Sequence, residues 1–277
     1  MTANIQPQIQ TLGIIAGSRS LPLLLASQAR AAGVRSIVSA AFEGETDPAI
    51  ANVSDHVRWM RVGQLGKLID FFKEHGVAHC AMAGQIAPKN LFDLRPDFRT
   101  LGLLLRIKEK NAHTLFTAIA DELAKDGIEL VEATPWLRPL MPTKGFQIGP
   151  KPSQAQLEDA AFGFRIAKEI SRLEIGQTVV VKGGTVLAVE GFEGTDRCLQ
   201  RGGELAGAKK GAVAVKVAKT GHDMRFDIPC AGFQTVEVCA KAGIEVLAVE
   251  AERTLVLDRE AMESKLGKLG VSVIAVG

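Results

Sequence analysis

From residue 216 to 229 the chain reads Lys-Val-Ala-Lys-Thr-Gly-His-Asp-Met-Arg-Phe-Asp-Ile-Pro. Asp223 and Asp227 bracket Arg225. If the stretch is extended, all three project to one side at period two. Two carboxylates converging with a guanidinium suit phosphate chemistry. Mg²⁺ takes hard oxygen ligands, often only one or two from protein, while substrate phosphate completes its shell. A carboxylate can also orient or activate water for hydrolysis. Arg225 would balance phosphate charge; its purely structural role would be to make two neighbouring aspartates tolerable. Lys216 lies inside an apolar strand, where a charge is costly unless it points outward or meets an anion. His222 is a further donor.

A second group is Glu190-Gly191-Phe192-Glu193-Gly194-Thr195-Asp196. Thr195 suits a helix cap, and Asp196 would occupy the favourable positive end of that helix. Capping does not account for Glu190 and Glu193, one of which could hold a cation or a sugar. In the first half, Gly17, Ser18 and Leu21-Pro22 lie between an apolar strand and a helix, where free backbone N–H groups could meet a phosphate. A tight strand-to-helix connection explains the same residues. Gly84, Gln85 and Lys89 follow another strand, at the carboxyl edge where open sheets place ligands. Arg95 and Asp97 read as an ordinary ion pair. Neither loop carries GxGxxG, which argues against dinucleotide binding.

The elements that must position these groups alternate in the first half. Strands are expected at 12–16, 34–41, 77–83 and 128–133, with helices at 21–32, 63–75 and 111–125. Continuous apolar strands between periodic helices predict a parallel sheet covered on both faces. Residues 134–152 hold five prolines and two glycines, which argues against a regular helix or central strand there. Apolar Trp136 and Leu140 suggest a packed linker. Beyond it, Ser153 should cap a helix running through Leu173. Residues 177–181 and 185–189 should form a hairpin across Lys182-Gly183-Gly184. Helices at 195–206, 234–242 and 259–269 and strands at 213–217, 244–250, 254–257 and 271–276 complete a mixed α/β region.

A chain of 277 residues can form one large or two ordinary domains. Its formal charge is +2, tyrosine is absent and aromatic residues make up 5%. Neither a field toward nucleic acid nor a stacking platform for single strands follows from that. Cys80, Cys198, Cys230 and Cys239 lack CxxC spacing and read as reduced, partly buried thiols. His56 and His75 lack partners at metal-ligand spacing. The N-terminal residues do not resemble a secretory signal, and no apolar run spans a bilayer. A cytoplasmic protein is expected.

Several separated segments, in order, resemble the magnesium-dependent UDP-2,3-diacylglucosamine pyrophosphatases of Gram-negative bacteria that lack the metallophosphoesterase version of the enzyme. They are Ile15-Ala16-Gly17 with Leu21-Pro22, Ala83-Gly84 with Lys89, Ala188-Val189-Glu190-Gly191 with Gly194-Thr195-Asp196, and Asp223-Met-Arg225-Phe226-Asp227-Ile-Pro229 with Gly232. The resemblance implies an α/β protein with an N-terminal Rossmann-like parallel-sheet domain (1–135), a linker (136–152) and a distinct C-terminal catalytic α/β domain (153–277). It implies Mg²⁺-assisted hydrolysis of UDP-2,3-diacylglucosamine to 2,3-diacylglucosamine 1-phosphate (lipid X) and UMP, with water directed to the sugar-side phosphorus. Asp223, Asp227, Arg225 and Lys216 would carry the chemistry, and Asp223, Asp227 and Glu190 the metal. Gly17, Ser18, Leu21, Gly84, Gln85, Lys89, Glu190, Gly191, Gly194, Thr195, Asp196, His222 and Gly232 would contact substrate. The expected partners are the lipid substrate and product and, transiently, the cytoplasmic face of the inner membrane, without nucleic acid; a homodimer is compatible.

The sequence departs from the family in two places. Lys219-Thr220-Gly221-His222-Asp223 stands where the family has Lys-Pro-x-Gln-Asp, and Arg19 stands where a small residue is common. Competing readings are a nucleotide-sugar transferase, a redox enzyme, or a non-catalytic nucleotide- or lipid-binding regulator that would tolerate replacement of both aspartates.

Overall fold

The computed structural model describes residues 9–86, 96–107, 112–208, 211–219, 223–226 and 228–277. The chain divides into two compact units, Met1–Leu137 with Asp223–Asp227, and Arg138–His222 with Ile228–Gly277.

In the first unit, β1 (Thr11–Ala16), α1 (Leu21–Ala31), β2 (Ser36–Phe42), β3 (His56–Met60), α2 (Leu65–Glu74) and β4 (His79–Ala83) follow one another. They are succeeded by α3 (Phe98–Arg106), α4 (Ala112–Ala124), β5 (Glu129–Leu130) and α5 (Thr134–Leu137). The five strands are parallel, in the order β3-β2-β1-β4-β5. Chain order reverses between β1 and β4, the switch point at whose carboxyl ends open α/β sheets bind ligands. Leu68, Ile69 and Phe72 of α2 and Leu123 of α4 pack with Val38, Cys80 and Leu130 of the sheet. Proline lies in the first turn of α1, as expected.

Two elements were not anticipated. β3 is an edge strand whose His56 and Trp59 are exposed, so it lacks the apolar run of a covered strand. α3 begins at Asp97, whose Oδ1 accepts the Thr100 N–H at 2.9 Å and whose Oδ2 accepts the Gly66 N–H at 2.7 Å. Asp97 is therefore a helix cap rather than half of a simple ion pair; Arg95 lies outside the described residues.

The second unit contains β6 (Gln147–Ile148), α6 (Gln154–Arg172), β7 (Thr178–Lys182), β8 (Thr185–Val189), α7 (Thr195–Ala206) and β9 (Ala212–Lys216). β10 (Cys230–Ala231), α8 (Phe233–Lys241), β11 (Ile244–Glu250), β12 (Leu255–Val256), α9 (Arg259–Leu269) and β13 (Ser272–Val276) follow. A six-stranded mixed sheet has the order β6-β13-β11-β9-β7-β8, and β10 pairs with β12. One face packs on Ala160, Ala167 and Ile170 of α6. The other meets Leu199 of α7, Val236 of α8 and Leu266 of α9.

Ser153 caps α6 and forms a reciprocal capping box with Gln156. The proline-rich stretch is not wholly irregular. It supplies the single turn of α5, a 3-10 turn at Arg138–Leu140 and the short edge strand β6. Trp136 is buried. The β7–β8 turn is two residues rather than three, because Lys182 pairs with Thr185. Gly183 and Gly184 both have positive φ, 54° and 72°, as a type I′ turn requires. Buried Asp159 on α6 accepts both glycine N–H groups, each at 2.7 Å.

Candidate functional site

In the second unit β8, β9 and β11 run in one direction and β7 runs against them. The carboxyl ends of those three strands therefore share an edge with the amino end of β7. Lys216 is the last residue of β9, and its Nζ donates to Thr195 Oγ1 at 3.3 Å. The Thr195 hydroxyl donates to Glu190 Oε1 at 2.9 Å, and Glu190 Oε2 accepts the Gln177 N–H at 3.3 Å. Lys216, Thr195 and Glu190, picked from two separate segments of the sequence, thus form one chain of hydrogen bonds. A cation and a carboxylate are held apart by a hydroxyl whose proton points to the carboxylate, leaving the ammonium further N–H donors for an anion.

The local backbone explains this placement. Gly176 cannot carry a side chain, since a Cβ there would lie 2.1 Å from the Glu190 carbonyl oxygen. The Glu190 N–H donates to Thr178 O at 2.8 Å. Thr195 does not cap α7: Gly194, with φ of 83°, is the N-cap, and the Thr195 hydroxyl is turned to Glu190 instead. Asp196 occupies the first turn, as expected. Glu193 accepts the Gly191 N–H at 3.0 Å and pairs with Arg201 at 2.5 Å. Its structural role in clamping the loop is therefore defined. Arg201 also donates to Val189 O at 2.8 Å.

The Asp223 segment belongs to the first unit. It is not extended: Met224–Phe226 form a turn in which Asp223 O accepts the Phe226 N–H at 3.1 Å. The period-two argument for convergence therefore fails. Asp223 and Arg225 meet for another reason, because Asp223 Oδ1 accepts the Arg225 backbone N–H at 3.1 Å, as aspartates do in turns. The guanidinium then returns a forked pair, Nε to Oδ1 at 3.0 Å and Nη2 to Oδ2 at 2.7 Å. This bonding to Asp223 chiefly raises the pKa of Arg225; burial opposes it, and Asp121 and Glu132 add to it. Phe226 anchors the turn, stacked 5.8 Å from Phe116 and packed against the first unit's core. Asp227 and His222 lie outside the described residues, as does Lys89.

At the first unit's switch point the two glycine loops are bonded to each other. Gly17 N–H donates to Ala83 O at 2.8 Å and Ser18 N–H to Gln85 O at 2.7 Å. Ser18 Oγ also donates to Gln85 O, at 2.8 Å. The backbone donors expected to be free at Gly17 and Ser18 are thus engaged within the protein. A Cβ on Gly17 would lie 2.7 Å from Gln85 O, and one on Gly84 2.5 Å from Ser18 O, so both glycines are needed for this approach. Leu21 is buried in the first turn of α1. Arg19 has φ of 68°, in the left-handed region that residues bearing a side chain adopt only at a cost. In the second unit, Gly232 is the N-cap of α8 beside Asp258.

One group escaped the sequence reading. Glu250, at the end of β11 and only 7% exposed, accepts Lys168 Nζ at 3.0 and 3.2 Å and the Ala218 N–H at 2.8 Å. Lys168 also donates to Ala218 O at 3.0 Å. One ion pair therefore holds both peptide groups of Ala218, two residues beyond Lys216. The available signal was a glutamate terminating the apolar run Val246–Val249.

Among the described residues no three His, Cys, Asp or Glu side chains converge as a metal cluster. Burial raises the thiol of Cys80 and pushes those of Cys198 and Cys239 to about 12, consistent with inert core cysteines. No helix among the described residues is long and apolar enough to cross a membrane.

Residues 11–140 match the family described as the LpxI N-terminal domain, and residues 143–274 match the LpxI C-terminal domain. The chain belongs to the LpxI family. Its similarity to the UDP-2,3-diacylglucosamine pyrophosphatase LpxI of Caulobacter vibrioides is 32% identity over 277 residues, 97% of this chain and 98% of the relative. The LpxI C-terminal match includes Glu190, Thr195, Lys216 and the 223–226 turn, although that turn packs with the first unit. The expected combination of an N-terminal parallel-sheet unit and a C-terminal mixed-sheet unit is the architecture present in this chain.

Proposed function

We propose that this chain hydrolyses the pyrophosphate of UDP-2,3-diacylglucosamine, releasing UMP and 2,3-diacylglucosamine 1-phosphate. The observation carrying this reading is similarity along nearly the whole chain to a UDP-2,3-diacylglucosamine pyrophosphatase. The Lys216–Thr195–Glu190 chain adds a held cation suited to an anionic substrate.

Water attacks the sugar-side phosphorus, the bond from that phosphorus to the bridging oxygen breaks, and the oxygen leaves with UMP. Lys216 and Arg225 balance phosphate charge, while Asp223 orients the water or shares in metal binding. The available carboxylates are hard oxygen donors, and Mg²⁺ needs only one or two of them beside substrate phosphate. Asp223, Asp227 and Glu190 would hold it, and it would supply charge neutralisation at the pyrophosphate. Gly17, Ser18, Gly84, Gln85, Lys89, Gly191, Gly194, Asp196, His222 and Gly232 remain proposed substrate-side positions. For Gly17 and Gly84 the contribution is loop shape. Because the substrate carries two acyl chains, the reaction would take place at the cytoplasmic face of the inner membrane.

The test is to supply the purified protein with UDP-2,3-diacylglucosamine, with and without Mg²⁺, and identify products by mass. UMP and the lipid 1-phosphate are expected only with Mg²⁺. Folded protein that releases neither would refute the activity, and equal release with chelator would refute the metal. In ¹⁸O-water the label should enter the lipid 1-phosphate; label in UMP would place attack on the other phosphorus.

A further inference from the structure

α3 is apolar on two opposite sides. Thr100 and Leu103 are buried toward the first unit. Phe98, Leu101 and Leu105, three and four residues apart and so on one face, are 96%, 46% and 79% exposed. A helix on the surface of a globular protein normally turns its polar side outward. Here the outward ridge is a phenylalanine and two leucines, while Arg99, on another side, is bonded to Glu122 and Asp126. Adding a Cβ to Gly102 would meet nothing within 4 Å, so the open surface continues past the ridge.

Charge identifies the occupant. Exposed Arg106 ends α3. Residues 89–110 contain six lysines and arginines against three acidic residues, a net +3, whereas the whole chain carries only +2. The remainder of the protein is therefore net −1, and its positive excess lies in the sequence around this helix. An apolar ridge within a basic segment is the pattern of helices that lie in the headgroup region of anionic bilayers. A second protein copy would not call for a basic excess in this stretch of sequence.

We propose that the Phe98–Leu101–Leu105 ridge of α3 is a membrane-docking surface that inserts shallowly into an anionic lipid leaflet. The choice of a lipid partner rests on the proposed lipid hydrolysis, but the binding itself is independent of turnover. The ridge delivers the protein to the surface where a diacylated substrate resides.

The test uses the full chain and two kinds of vesicle, phosphatidylcholine alone and phosphatidylcholine mixed with phosphatidylglycerol. Wild type should float with the anionic vesicles and bind less as salt rises. Phe98→Glu and Leu105→Glu should each weaken that binding about tenfold or more. Leu173→Glu, at an exposed leucine on the other unit, should not. Circular dichroism and melting temperature establish that the variants are folded. Hydrolysis of detergent-dispersed substrate should stay within about twofold of wild type, while hydrolysis of vesicle-embedded substrate falls with binding.

Absence of wild-type vesicle binding, or equal binding by the ridge variants, would overturn the proposal. So would a parallel loss on dispersed substrate, which would make the ridge an acyl-chain site, or a change from dimer to monomer by sedimentation. If wild type binds vesicles through the ridge yet releases no UMP, the hydrolase reading fails and the docking surface stands.

Discussion

Thr195 gives its proton to Glu190 and a lone pair to Lys216, so a single hydroxyl sets how two charges face each other. Thr195→Val keeps the shape and removes both bonds. It should lower kcat/KM for UMP release by about tenfold to a hundredfold, with Thr195→Ser restoring most of it. Asp223→Asn should reduce turnover further, by about a hundredfold or more, because it removes charge as well as an acceptor. Near-normal rates in both would remove these residues from the reaction. The two positions differed in how far sequence could reach. Thr195 and Glu190 stand at element ends, where the strand and helix pattern predicts them, while Lys216 ends a strand that was expected to run one residue further. The pairing of Asp223 with Arg225 was anticipated, but from an extended backbone. A turn produces it instead, through side-chain-to-backbone bonding invisible to a period-two count.

At the scale of elements, long-range polar contacts decide what periodicity cannot. Apolar runs bounded by glycine revealed most strands and helices, because burial and termination are both local signals. The exposed edge strand β3 and the Asp97-capped α3 offered neither signal clearly. Glu250 and Lys168 are 82 residues apart, so neither announces the other. Asp159, which receives the β7–β8 turn on α6, was likewise silent. Asp159→Ala should destabilise the protein by about 1–2 kcal/mol, since two N–H groups of the exposed turn lose the buried carboxylate that accepts them; urea unfolding measures it. An unchanged midpoint would show that the turn holds itself.

The α3–α4 contact makes a pH-dependent prediction. Asp126 is held below its ordinary 3.8, first by Lys73 and then by Arg99. Glu122 is held below 4.5 first by Lys125, with burial opposing and Arg99 assisting. Both carboxyls are depressed in the folded state. Their stabilisation is present above the ordinary values and is lost as pH falls through the folded ones. Arg99→Met should therefore flatten the decline in melting temperature below about pH 4.5. A curve parallel to wild type would exclude Arg99 from the acid response.

For the whole molecule, the second unit's sheet is covered on both faces by its own helices. A fragment of residues 138–277 should keep a cooperative thermal transition, yet release no UMP, because its 223–226 turn lacks the Phe116 stack and core that anchor it. Calorimetry and the product assay read the two halves of that expectation. Turnover by the fragment would show that the turn needs no such anchor.

That five-residue detour has a consequence for inheritance. Cutting a gene at codon 137 separates two sequence blocks but not two physical bodies, since the downstream block encodes part of the upstream body. Exchange of halves between relatives would therefore bring together a Phe226 and a Phe116 with separate mutational histories. The cassette that travels intact is the first unit's sequence plus codons 223–227, and divergence in either piece is answerable to the other.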